Sequence, residues 1–225
     1  LVLSDNAQFD VVSGAVFEVD DVVATESGTA NKLCVSGGTL KIPGDFKWTS
    51  AQLNVRTAGS VIEFTGVGTR LCASGSGGKL IIDAPITING DVVLENGAKL
   101  THSENGSTPS YSLSLDITGD LTVDASSSID VTGMGYPDKQ GPGKSNSGSI
   151  HGGSHGGFSI NPGTAQCYGS LRHPTQCGSG GNWSGAENGD WAFGGGTVYL
   201  SVRGDTTLNG KIASDGRRCK YYTGA

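Results

Sequence analysis

The chain reads as an all-β protein, a single parallel β-helix (solenoid) over residues 1–225, with a long glycine-rich loop inserted at 133–196. Three observations predict this: a recurring corner motif, short runs of alternating apolar residues, and one long stretch where the alternation stops.

The corner motif is apolar, any, apolar, any, Gly-Asp, two residues, apolar. It occurs at Leu40–Trp48, Ile86–Leu94, Leu115–Val123 and Leu200–Leu208. A second echo sets Lys32-Leu33-Cys34-Val35-Ser36-Gly37 against Arg70-Leu71-Cys72-Ala73-Ser74-Gly75. Apolar residues at every second position turn one face of a strand inward. The runs are short and bounded by Gly, Asn, Asp and Ser, which favour turns. In the Gly-Asp corner, glycine is expected to take a positive φ and aspartate to bond nearby backbone amides. No segment shows apolar spacing of three and four over ten residues, so no long helix is expected.

From Gly44 to Gly90 the chain runs 46 residues and holds about six short strands. Two coils of three strands each fit that step, as in solenoid repeats. Stacked coils would lie about 4.8 Å apart. The alternative is an antiparallel β-sandwich, which also yields short alternating strands. A recurring corner is natural in a solenoid and accidental in a sandwich.

Between Gly133 and Gly196 the alternation stops. These 64 residues hold 19 of the 38 glycines, three of the four histidines and two of the three tryptophans. Loops this long inside a domain tend to carry function. Alternation resumes at Thr197-Val198-Tyr199-Leu200 with the same corner, so the stretch is expected as an insertion in a continuing coil.

The composition bounds the function. Apolar residues make up 35% and charged residues 16%, which argues against a disordered polyelectrolyte. A net charge of −6 disfavours nucleic acid and anionic membrane as partners. No stretch approaches the roughly 18 apolar residues of a membrane span. Residues Leu1 to Asn6 lack the basic start and apolar run of a signal peptide, and no closing element is legible at Tyr222-Thr223-Gly224-Ala225. Either a signal peptide has been removed or the chain is a piece of a larger protein, and the far end favours the second.

Five cysteines stand at 34, 72, 167, 177 and 219, none in a Cys-x-x-Cys pair. Disulfides, and with them an oxidising extracellular location, are the better reading than zinc. Cys167 is expected to pair with Cys177, with a bond from either to Cys219 as the competitor. Cys34 and Cys72, 38 residues apart, are expected about two coils apart and too distant to bond. Sequons at Asn105 and Asn182 are candidate glycosylation sites.

The order of Gly119-Asp120-Leu121-Thr122-Val123, Ser128-Ile129-Asp130-Val131-Thr132-Gly133 and His151-Gly152-Gly153-Ser154-His155-Gly156-Gly157 looks familiar. It continues through Tyr168-Gly169-Ser170, Gly194-Gly195-Gly196-Thr197-Val198-Tyr199-Leu200 and Leu208-Asn209-Gly210-Lys211-Ile212. This C-terminal half resembles the glycine-rich β-helical segments of very large secreted or surface proteins, similar to pectate-lyase-like solenoids. The resemblance implies the fold, the cell exterior and further copies of the unit. It carries no catalytic residues across.

Candidate chemistry is sparse. His151 and His155 are four apart, but four of the seven residues from 151 to 157 are glycine, so a helical metal pair does not apply. A lyase acting on an acidic polysaccharide needs a cation and a base. Arg217, Arg218 and Lys220 form the basic cluster, and Asp190, Asp205 and Asp215 are possible calcium ligands, with nothing in their spacing to unite them. No nucleophile elbow, P-loop or dinucleotide fingerprint is present. No metal or other cofactor is expected.

Carbohydrate contact is the leading binding idea, through Tyr168, Trp183 and Trp191 beside Arg172 and His173, all in the glycine-rich loop. The competing role for these aromatics is to anchor the loop. The expected function is an extracellular structural or adhesive module, its partner an extracellular polysaccharide or cell-surface glycan. The alternative is a polysaccharide-active enzyme, lyase or glycoside hydrolase, of the pectate-lyase-like type.

Overall fold

A computed structural model describes residues 2–3, 7–19, 24–25, 31–42, 44, 46–49, 51–65, 70–144, 152–157, 166–170, 172–182 and 192–217. Among these the protein is all-β, with no helix.

The strands come in threes. β1 (Val2–Leu3), β2 (Gln8–Val12) and β3 (Val16–Glu18) open the chain. Next come β4 (Ala24–Thr25), β5 (Lys32–Ser36) and β6 (Thr39–Ile42), then β7 (Phe46–Thr49), β8 (Gln52–Thr57) and β9 (Val61–Phe64). They are followed by β10 (Arg70–Ser74), β11 (Lys79–Ile82) and β12 (Ile86–Ile88), then β13 (Asp91–Glu95), β14 (Lys99–Thr101) and β15 (Leu113–Ile117). β16 (Leu121–Val123) and β17 (Ser128–Asp130) precede the glycine-rich segment. β18 (Val198–Val202), β19 (Thr206–Leu208) and β20 (Lys211–Ala213) follow it.

Within each sheet, neighbouring strands are three places apart in the chain. The sheets run β19-β16-β13-β10-β7, β2-β5-β8-β11-β14-β17-β20 and β18-β15-β12-β9-β6-β3, with a separate pair β1-β4. Every described strand pair is parallel. Antiparallel pairing, which the sandwich alternative needs, is absent from these pairs. The cyclic order is consistent with the expected solenoid. Phe46 faces Leu71, and Leu71 faces Val92, so 46 residues make two steps between equivalent strands.

The chain forms two compact units: Leu1–Thr101 with Leu113–Asp130 and Tyr199–Ile212, and His102–Ser112 with Val131–Val198 and Ala213–Ala225. The glycine-rich unit thus takes in more than the 133–196 read from the sequence.

In the first unit, alternation stacks like on like. Leu33, Leu53, Leu80, Leu100 and Ile129 face one another in register across one sheet, and none is more than 3% exposed. Leu40, Ile62, Ile88 and Ile117 do the same in another. Fully burying such a side chain contributes about 1.5–3 kcal/mol. Between coils the polar backbone is satisfied by the parallel ladders, as burial requires.

The Gly-Asp corners also stack, but by a different use of glycine than expected. Gly119 and Gly204 do not take a positive φ; that conformation falls to glycines of other turns, such as Gly14, Gly59 and Gly97. At Gly119 and Gly204 the glycine is there for close approach. A Cβ on Gly119 would sit 2.2 Å from Asp91 Oδ1 and 2.7 Å from the Gly90 backbone. A Cβ on Gly204 would meet Asp120 Oδ1 at 2.2 Å. The amide of Gly119 donates to the Gly90 carbonyl, and that of Gly204 to the Gly119 carbonyl. Asp45 lies outside the described residues.

The cysteine expectations need correction. Cys34, Cys72, Cys167 and Cys177 are free thiols, so the Cys167–Cys177 bond is not present. Cys177 is buried at 4% exposure while Cys167 is exposed. The repeat around Cys34 and Cys72 is not two coils long either. Cys34 lies on β5 and Cys72 on β10, five strands later and in a different sheet. Cys219 lies outside the described residues.

A tyrosine-lined candidate site

The glycine-rich unit is built backbone against backbone. The amide of Gly135 donates to the Gly194 carbonyl, Tyr136 to Gly178, Gly178 to Gly195, and Gly194 back to Tyr136. These contacts leave no space for side chains: a Cβ on Gly194 would fall 1.9 Å from the Gly178 oxygen, and one on Gly180 1.9 Å from the Pro137 oxygen. Real Cβ atoms do not approach so closely, so only glycine fits. The composition that reads as a structureless loop is a packing device.

This frame carries a cleft of about 240 Å³ lined by the rings of Tyr111, Tyr136 and Tyr168. Two further glycines admit the rings. A Cβ on Gly141 would stand 2.8 Å from the Tyr136 ring, and one on Gly143 2.9 Å from the Tyr168 ring. Tyr168 is fixed at its tip and its face. Its hydroxyl donates to the Cys177 carbonyl at 2.6 Å and accepts from Ser179 Oγ at 2.8 Å. His155 packs edge-on against its ring, centroids 4.7 Å apart. Burial pushes the Tyr168 phenol up to about 12, so it stays protonated and keeps donating at neutral pH. Burial also raises Tyr136.

Tyr111 is placed by Asn105. Asn105 Oδ1 accepts the amides of Ser110 and Tyr111 at 2.7 and 2.8 Å, and its Nδ2 donates to the carbonyls of Tyr111 and Met134 at 2.9 Å. With Asn105 only 3% exposed and its carboxamide occupied, the folded chain leaves a glycan no approach there. In the fold Asn105 serves as a structural knot. Asn182 is 9% exposed.

The other sequence candidates separate. Tyr168 lines the cleft as expected, while Arg172 and His173 are exposed and outside its lining, their amides turned onto Ser170 Oγ. Trp183, Trp191, His151, Asp190, Arg218 and Lys220 lie outside the described residues. His155 bonds the Gln176 carbonyl at 3.1 Å. Arg217 lies 4.0 Å from the Phe193 ring centroid and pairs with Glu104 at 3.0 Å, which makes it a clamp within its unit. Asp205 sits in the corner stack. The carbonyl of Asp215 accepts the Gly133 amide. Among the described residues no three His, Cys, Asp or Glu side chains gather as a metal site.

Tyr111 and Tyr136 escaped the sequence reading because their placement rests on the Asn105 carboxamide for one and on space left by Gly141 for the other, and neither leaves a periodic pattern. Tyr136-Pro137, inside the glycine-rich stretch, was the available signal.

A shallower groove of about 420 Å³ lies in the first unit, along Val61, Thr87, Asn89 and Asp116. Asp116 is the lone carboxylate of its described lining. Hydrolysis of a glycoside by the two-carboxylate route requires a pair.

Compared with known proteins, the chain matches no family model, no curated protein and no solved structure.

Proposed function

We propose that this chain is a parallel β-helical structural or adhesive module of an extracellular protein, and that its glycine-rich unit contacts a polysaccharide or cell-surface glycan. The observation that carries the reading is the grouping of Tyr111, Tyr136 and Tyr168 around one cleft on a frame with little side-chain bulk. Aromatic faces take the apolar faces of sugar rings, and the surrounding hydroxyls and amides take sugar hydroxyls. The three-strand period and parallel pairing support the β-helix. The glycoside hydrolase alternative has less behind it, since the described lining of neither cleft brings two carboxylates together.

Binding of the chain to immobilised polysaccharides tests the reading. Retention on at least one polysaccharide, lost in Tyr136→Ala with the circular dichroism unchanged, is the expected result. Turnover of a polysaccharide into unsaturated or reducing ends would replace the module with the enzyme.

A further inference from the structure

We infer that the tyrosine cleft takes an uncharged sugar ring, as found in neutral hexose and N-acetylhexosamine polymers, and discriminates against uronates. The inference rests on the carbohydrate reading above and narrows it.

The described lining contains three tyrosines, and its remaining side chains are those of Pro, Ser, Thr, Gln and Cys. It includes no Lys, Arg, His, Asp or Glu. A carboxylate entering it would give up its hydration and find no cation among the described lining residues. It would also face three aromatic surfaces whose quadrupoles present negative charge. A neutral ring meets the opposite situation. Its C–H face carries slight positive charge and suits those surfaces. Its hydroxyls can both donate and accept, which matches Ser112, Thr175, Gln176 and Thr197.

Size agrees. At about 240 Å³ the cleft is smaller than the roughly 300–1,000 Å³ of pockets that enclose drug-sized ligands, so it holds a single ring of a longer chain. Preorganisation agrees as well. Tyr168 is held by two hydrogen bonds and an edge contact, and the segment of Tyr111 by three bonds to Asn105, which a fourth ties to Met134. Aromatic surfaces held in place lose little freedom on binding.

Titration calorimetry of the whole chain would use four probes: oligomers of glucose, of galactose, of N-acetylglucosamine and of galacturonate. At least one neutral oligomer is expected to bind with an affinity that changes little between low and high salt, because no charges are involved. Tyr111→Ala and Tyr136→Ala should each weaken binding by about tenfold or more. Tyr199→Ala, on β18 and 59% exposed, should leave it unchanged. If Tyr136→Ala unfolds, Tyr111→Ala still decides, since Tyr111 is 37% exposed. Binding of galacturonate alone, weakening with salt, would overturn the neutral preference and leave the carbohydrate reading standing. Binding of no oligomer would overturn both. A proline-rich peptide binding the cleft where every sugar fails would overturn both and reassign the tyrosines to peptide recognition.

Discussion

Asp91 Oδ1 accepts the backbone amide of Asp120 at 2.9 Å. One strand further along the same sheet, Asp120 Oδ1 accepts the amide of Asp205 at 2.8 Å. The corner aspartates thus form a ladder of side chain to main chain, running beside the glycine ladder of main chain to main chain. Each link is a charge-assisted bond, which is stronger than its neutral counterpart. The ladder explains why Gly and Asp recur together: glycine lets the next coil come close, and aspartate then caps the amide that arrives.

Gly44 and Gly119 occupy the same place in the motif but should respond differently to alanine. Gly119→Ala forces a Cβ to within 2.2 Å of Asp91 Oδ1 and 2.7 Å of backbone. It should destabilise by about 2 kcal/mol or more, as overpacking does. A Cβ on Gly44 meets nothing within 4 Å, so Gly44→Ala should stay within about 0.5 kcal/mol. Urea denaturation of both variants checks the contrast, and equal losses would refute the stacking of the later corners.

Asp124 should make stability depend on acid. Partial burial acts to raise its carboxyl, but bonds from the Asn96 amide at 2.6 Å and from the amide and hydroxyl of Ser126 at 2.9 Å outweigh it. The group is held at about 2, below its usual 3.8. A carboxyl lowered by folding stabilises above its unfolded pKa, and that contribution disappears as pH falls through the folded value. The loss should therefore fall between about pH 4 and pH 2. Asp124→Asn should be less stable than wild type at pH 7 by about 1 kcal/mol, and the gap should close near pH 2. A gap that persists at pH 2 would show that the carboxylate is not its source.

Thiol labelling should rank the cysteines by burial. Cys167 is exposed, whereas Cys34, Cys72 and Cys177 are buried, with burial the largest cause raising each of these three thiols and Cys72 reaching about 11. Because the thiolate is the reactive form, iodoacetamide at pH 8 should modify Cys167 well before the other three, which should react on unfolding. Mass spectrometry of the native digest reads the order. A Cys167–Cys177 linked peptide would restore the disulfide that the structure lacks.

What could be read in the sequence follows from what leaves a side-chain pattern. The corner motif and the two-residue alternation gave the strands, their spacing and the resumption at Val198, because inward faces must be apolar. The Cys34 and Cys72 echo misled, since similar strands serve different sheets and similarity does not carry the coil phase. The glycine-rich unit was opaque for a related reason. Its order comes from amides and carbonyls of Gly135, Gly178 and Gly194, and contacts between backbones leave no alternation to find. The same opacity hid the role of Asn105, whose four internal bonds no sequon can reveal.

The strands on either side of the glycine-rich segment are in register as if nothing stood between them: Leu121 faces Thr206, across a gap of 85 residues. The cost of closing a loop grows only with the logarithm of its length, about 0.6 kcal/mol per doubling. Once the corners of Asp120 and Asp205 have set the phase, the length and content of the intervening chain are nearly free variables. The turn after Asp130 can therefore take inserts of different length and content while the strands on either side keep their pairing.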